Sequence, residues 1–120
     1  MAKFKLLREV FEPTEKEIKK SIRRYLNIRG IFNFNQWQGQ FSEKGISDLI
    51  GLLPRSGRLL AIEVKRPGKG PTEDQQRFID NVNRSGGLAF VATSVEDVIK
   101  NLDGGKRNAL QNHSIQGNGE

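Results

Sequence analysis

The chain has 120 residues, a net charge of +6 and a sequence pI near 9.9, with 35% hydrophobic and 28% charged residues. That is material for one domain with a modest core; no run approaches the roughly 20 apolar residues of a membrane span, and Lys3, Lys5, Arg8 and Glu9 interrupt any signal-like start. Cysteine is absent and the single histidine, His113, lies in a polar stretch, which excludes disulfides, thiolate metal sites, histidine clusters and His-dependent triads.

Residues 1–12 follow no clear period. Pro13-Thr14 reads as a helix entrance, with Thr14 as N-cap and Glu17 at capping-box spacing. The helix is expected to run to about Asn27 or Arg29 and stop at Gly30, burying Ile18, Ile22, Tyr25 and Leu26. Its phase places Glu15 at the edge of the buried stripe and Glu17 off it. Residues 31–41 alternate as a strand and its exit, with Trp37 read as a core or dimer-contact residue rather than a base-stacking platform. Lys44-Gly45 opens a turn before a strand over Ile46–Leu53, and Pro54, Ser56 and Gly57 turn the chain into a strand over Arg58–Lys65. After the Pro/Gly loop Arg66–Pro71, Thr72 caps a second helix with Gln75 three residues on, so Gln75 is preferred to Gln76 as the inward-facing amide. The stripe of that helix is Gln75, Phe78, Ile79 and Val82. A strand over Leu88–Thr93 and a helix over Ser94–Leu102 follow, and residues 104–120 read as a flexible polar tail behind a single domain of residues 1–103. The order α-β-β-β-α-β-α predicts an α/β fold, one mixed sheet flanked by helices.

The chemistry concentrates between Asp48 and Lys65. Residues i and i+2 of a strand share a face, so Glu63 and Lys65 project together while Val64 points away. Folding the preceding strand back would bring Asp48 towards Glu63. Both acids sit inside apolar runs, where charges are seldom placed unless paired or bound to metal. Two carboxylates and an ammonium at a strand end suit a hard cation and an attacking water. Basic residues cluster on both sides: Lys16, Lys19, Lys20, Arg23, Arg24 and Arg29, then Lys65, Arg66 and Lys69. That distribution favours a polyanionic partner.

A Glu in the first helix, an Asp at a strand start, E-x-K on the next strand and a Gln in the following helix resemble the PD-(D/E)XK nuclease superfamily. The segments G-I-S-D-L-I-G, A-I-E-V-K-R-P-G-K-G, T-E-D-Q-Q-R-F-I-D-N-V and S-G-G-L-A-F-V-A-T-S-V-E-D-V resemble, more narrowly, the small stand-alone VRR-NUC domains of phages or prophages. The likeness spans about residues 13–102. Ser47 departs from it, standing where the family often has proline. The resemblance implies a restriction-endonuclease-like core and a Mg²⁺- or Mn²⁺-dependent deoxyribonuclease working in the (bacterial host) cytoplasm. By the same resemblance Asp48, Glu63 and the Val64 backbone carbonyl would hold the cation, with Glu15, preferred to Glu17, as a further ligand through water. Lys65 would polarise the attacking water, Gln75 would orient Lys65, the water or the phosphate, and Lys16, Lys19, Lys20, Arg23, Arg24, Arg66 and Lys69 would hold DNA.

The substrate expected is branched DNA such as a Holliday junction, cut by a homodimer with Trp37, Phe34 or the N-terminal residues at its interface. The alternatives are a catalytically inert nucleic-acid-binding module of the same fold and a nicking or flap nuclease.

Overall fold

In a computed structural model of the protein, residues 12–37 and 43–104 are described. Helix α1 spans Glu15–Ile28, strand β1 Asn33–Asn35, β2 Leu49–Leu52 and β3 Leu59–Val64; helix α2 spans Glu73–Arg84, β4 Leu88–Ala92, and residues 95–104 form helix α3. The order is the expected one. The N-terminal residues offered as interface contributors, residues 38–41 of the strand exit, and the tail from 105 onward with His113 lie outside the described residues.

The four strands form one mixed sheet in the order β1-β2-β3-β4, antiparallel up to β3 and parallel between β3 and β4. Strand β1 is shorter than the alternating pattern suggests. The Pro54–Gly57 turn closes with Gly57 N–H donating to Leu53 O and Leu53 N–H to Arg58 O, which sets the register Leu49↔Ile62 and Ile50↔Ala61.

That register gives the sheet two faces. On one, Leu49, Leu60, Ile62, Val64, Phe90 and Ala92 pack against Ile18, Ile22 and Leu26 of α1 and Val98 of α3. On the other, Ala61 and Ala89 pack against Ile79 and Val82 of α2. The predicted stripes are therefore the ones buried, with Tyr25 and Phe78 only half-buried at their margins. Trp37 is 75% exposed and so is not part of the core, which corrects that half of its reading. The reason is its place: Trp37 lies two residues beyond the three-residue strand β1, at the edge of the sheet.

Both N-caps form. Thr14 Oγ1 accepts from Glu17 N–H at 3.1 Å. In α2 the capping box is complete: Thr72 Oγ1 accepts from Gln75 N–H at 3.2 Å and Gln75 Oε1 accepts from Thr72 N–H at 2.9 Å. Gly45 holds φ +81°, and a Cβ there would lie 2.3 Å from Asp74 O, so only glycine lets the loop before β2 lie against the start of α2. Among the described residues no helix is long and apolar enough to cross a membrane.

Candidate active site

One step beyond the last paired residues of β2 and β3, the register carries Asp48 opposite Glu63 on the face shared with α2. The strand-period argument thus delivers the two acids to one place. Asp48 is fixed to the neighbouring strand by a hydrogen bond from Val64 N–H to its Oδ2, 2.9 Å. Val64 itself turns its side chain into the opposite core and is fully buried.

Glu63 is 2% exposed in the middle of an apolar strand. Its Oε1 accepts from Gln75 Nε2 at 2.7 Å and lies 3.7 Å from Lys65 Nζ. Gln75 can present its NH₂ only because its Oε1 is already committed to the Thr72 N–H. The capping box is therefore also the device that orients the amide towards the acid. Burial pushes the Glu63 carboxyl up to about 7 from its ordinary 4.5; the charge of Asp48 adds to the rise and the Lys65 ammonium opposes it.

Glu63 Oε2 is buried and, among the described residues, has no hydrogen-bond partner. An orphaned carboxylate oxygen in a dry site is costly, and a hard, oxygen-seeking cation is the partner that suits it. Asp48 presents the second carboxylate. The donor set thus fits a divalent cation held by Glu63 and Asp48. No group of three Asp, Glu, His or Cys side chains forms a metal-holding cluster among the described residues. Glu15, exposed in the first turn of α1, is accordingly not gathered into the acid pair.

A residue assigned only to the basic surface reaches the acids instead: Lys19 Nζ lies 3.6 Å from Asp48 Oδ1. The signal was available, since Lys19 follows Glu15 by one helical turn and neighbours the buried Ile18.

Of the residues expected to hold phosphate, Lys16, Lys19, Lys20, Arg23 and Arg24 come together with Asn27, Ile28 and Asn35 around a surface groove of ≈ 770 Å³. Arg23 is partly committed to structure, its Nε donating to Asn33 Oδ1 at 3.0 Å. Arg66 lies elsewhere, paired with Glu12 at 3.3 Å, and Lys69 is exposed on the loop beyond it.

The family model described as "VRR-NUC domain" matches residues 5–96. Two solved structures share the fold. One, titled "VRR_NUC domain", is 25% identical with a TM-score of 0.63 and covers 76% of this chain and 97% of that one. The other, "VRR_NUC domain protein", is 21% identical with a TM-score of 0.62 and covers 77% and 87%. Among curated proteins no sequence matches. A match over most of the chain, with the acids, lysine and glutamine converging on one sheet end, means that the chain belongs to the VRR-NUC family of nuclease domains.

Proposed function

We propose that the protein is a Mg²⁺- or Mn²⁺-dependent endonuclease that hydrolyses phosphodiester bonds of branched DNA as a homodimer. The observation that carries this reading is the buried Oε2 of Glu63, without a hydrogen-bond partner among the described residues, beside Asp48, Lys65 and Gln75. Asp48 and Glu63 would hold the cation, with the Val64 carbonyl and, through water, the more distant Glu15 as further ligands. A cation bound there would supply a lowered pKa for the attacking water and would offset charge at phosphorus.

The chain's own groups do the rest. Lys65 orients and polarises the attacking water and shields the charge that builds on the phosphoryl oxygens. Gln75 holds Glu63 in place and with it the Lys65 contact. No side chain at the site is an activated covalent nucleophile, which favours direct in-line attack by water. The groove on α1, with Arg66 and Lys69 of the loop after β3, carries the flanking phosphates.

Support for a dimer comes from the sheet face that α2 leaves bare. Phe32 and Phe34 meet edge to face at 6.0 Å, both exposed, and Leu52 is exposed beside them. Apolar strips of this kind favour self-association over solvation. Two copies would present two sites, as paired cutting of a symmetric junction requires.

The test is cleavage of labelled four-way junction, flap and linear duplex with Mg²⁺, Mn²⁺ or EDTA, alongside Lys65→Ala. The expected outcome is cation-dependent cutting, preferring the junction, that falls by about 10²- to 10³-fold in Lys65→Ala. Binding without cutting under either cation would leave an inert binding module instead.

A further inference from the structure

The two oxygens of Asp48 are held in different ways. Oδ2 is tied to the backbone N–H of Val64 at 2.9 Å, a fixed link between strands. Oδ1 faces the ammonium of Lys19 at 3.6 Å, the tip of a four-carbon stem that can swing. Lys19 also lines the basic groove with Lys16, Lys20, Arg23 and Arg24. Among the described residues it is the side chain that both lines the groove and contacts the acid pair.

We infer that Lys19 is a built-in counter-ion: it occupies Asp48 until a divalent cation displaces it, and the freed ammonium then takes a substrate phosphate in the groove. This rests on the cation reading of the acid pair given above. Asp48 has no uncommitted oxygen, since Oδ2 holds the Val64 N–H and Oδ1 faces Lys19, so a cation that takes Oδ1 must displace the ammonium; Glu63, among the described residues, keeps Oε2 open while only its Oε1 faces Lys65. Once released, Lys19 faces other cationic side chains in the groove, where only an anion stabilises it. Cation and phosphate therefore favour each other's binding through one side chain. Lys19 is a positioning residue, and the coupling it creates is reciprocal.

The experiment titrates Mn²⁺ into the DNA-free protein by calorimetry, and measures duplex affinity with and without Ca²⁺. Wild type is compared with Lys19→Gln and with Lys19→Met, which keeps the aliphatic stem, after melting curves show that each variant is folded. Arg84→Gln, at the far end of α2, controls for net charge. Removing a half-buried ion pair and its charge should tighten Mn²⁺ binding about fivefold in both Lys19 variants and leave it unchanged in Arg84→Gln. The same variants should lose about fivefold in duplex affinity with Ca²⁺ present, and much less without it. Equal Mn²⁺ affinity in wild type and both Lys19 variants would overturn the counter-ion role while leaving the cation site intact. Equal loss of duplex affinity with and without Ca²⁺ would overturn the handover, leaving Lys19 an ordinary phosphate contact. Failure of every protein to bind Mn²⁺ would overturn the cation reading itself, and this inference with it.

Discussion

The two halves of the site are built from the same kind of acid but in different surroundings. On the α2 side, Glu63 has a side chain 3% exposed and is clamped by a short amide and by Lys65. On the α1 side, Asp48 is 23% exposed and its charged neighbour is the long, 31% exposed Lys19. The dry half is positioned by the 2.7 Å bond from the Gln75 amide, whose own oxygen is held by the cap of its helix. The wet half is anchored through Asp48 Oδ2 to the Val64 N–H, while its Oδ1 faces a flexible ammonium that water and ligands can replace. Position is set on one side and exchange is permitted on the other, an arrangement suited to a site that must keep its shape while loading a cation and a substrate.

The sharpest way to break this contrast is to remove one helix-borne group from each half. Gln75→Ala should lower the cleavage rate about 10- to 100-fold, because it frees Glu63 from the amide that holds its Oε1 and lets the Lys65 contact drift. Glu15→Ala, removing an exposed carboxylate on the wet side, should cost less than about tenfold and chiefly raise the cation concentration needed. Thr72→Ala weakens the same cap without removing the Gln75 amide and serves as the control for helix stability. A larger loss from Glu15→Ala than from Gln75→Ala would transfer the organising role to the α1 side.

Next in size is the effect of pH on the cation-free protein. Glu63 binds its proton with a pKa of about 7 when folded and at its ordinary 4.5 when unfolded, so between these values the folded state carries more protons. Its contribution to stability is therefore greatest below pH 4.5 and is lost as pH rises through 7. Between pH 5 and 8 the wild type should lose on the order of 2 kcal/mol that Glu63→Gln does not lose, read as diverging denaturant midpoints. Adding Mn²⁺ at pH 8 should recover stability in the wild type alone. Parallel pH profiles for the two proteins would mean that Glu63 is better solvated than its burial implies.

Why the dry half was readable in the sequence and the wet half less so follows from the periodicities involved. Strand alternation fixes which face Asp48, Glu63 and Lys65 share, and a turn with Pro54 and Gly57 fixes the register that sets Asp48 opposite Glu63. A capping box likewise fixes Gln75 to within one residue. Helical phase gives the face on which Glu15 and Lys19 lie, but not how far along α1 the strand end falls. That distance depends on how Ile18, Ile22 and Leu26 seat on Leu60, Ile62 and Val64, a tertiary matter. The charge cluster on α1 was legible as a basic surface but not as a groove, and the commitment of Arg23 to Asn33 and of Arg66 to Glu12 was not legible, because the partners lie outside the helix or loop that carries each arginine.

The smallest expected effect concerns Ser47, the residue before Asp48. Ser47 is fully buried at the entrance to β2, and among the described residues its Oγ has no hydrogen-bond partner. A hydroxyl stripped of water and left unpaired costs about 1–3 kcal/mol, while deleting one oxygen atom opens little space. Ser47→Ala should therefore stabilise the fold by about 1 kcal/mol and raise the melting midpoint by about 4–8 °C. Cleavage should be unaffected, because Asp48 is located by its own bond to the Val64 N–H rather than by Ser47. This separates the two halves once more: the strand entrance tolerates an unpaired polar atom because the neighbouring acid is secured from β3. A melting midpoint lowered by Ser47→Ala would mean that the hydroxyl holds the entrance to β2 together, and that the position of Asp48 depends on both strands equally.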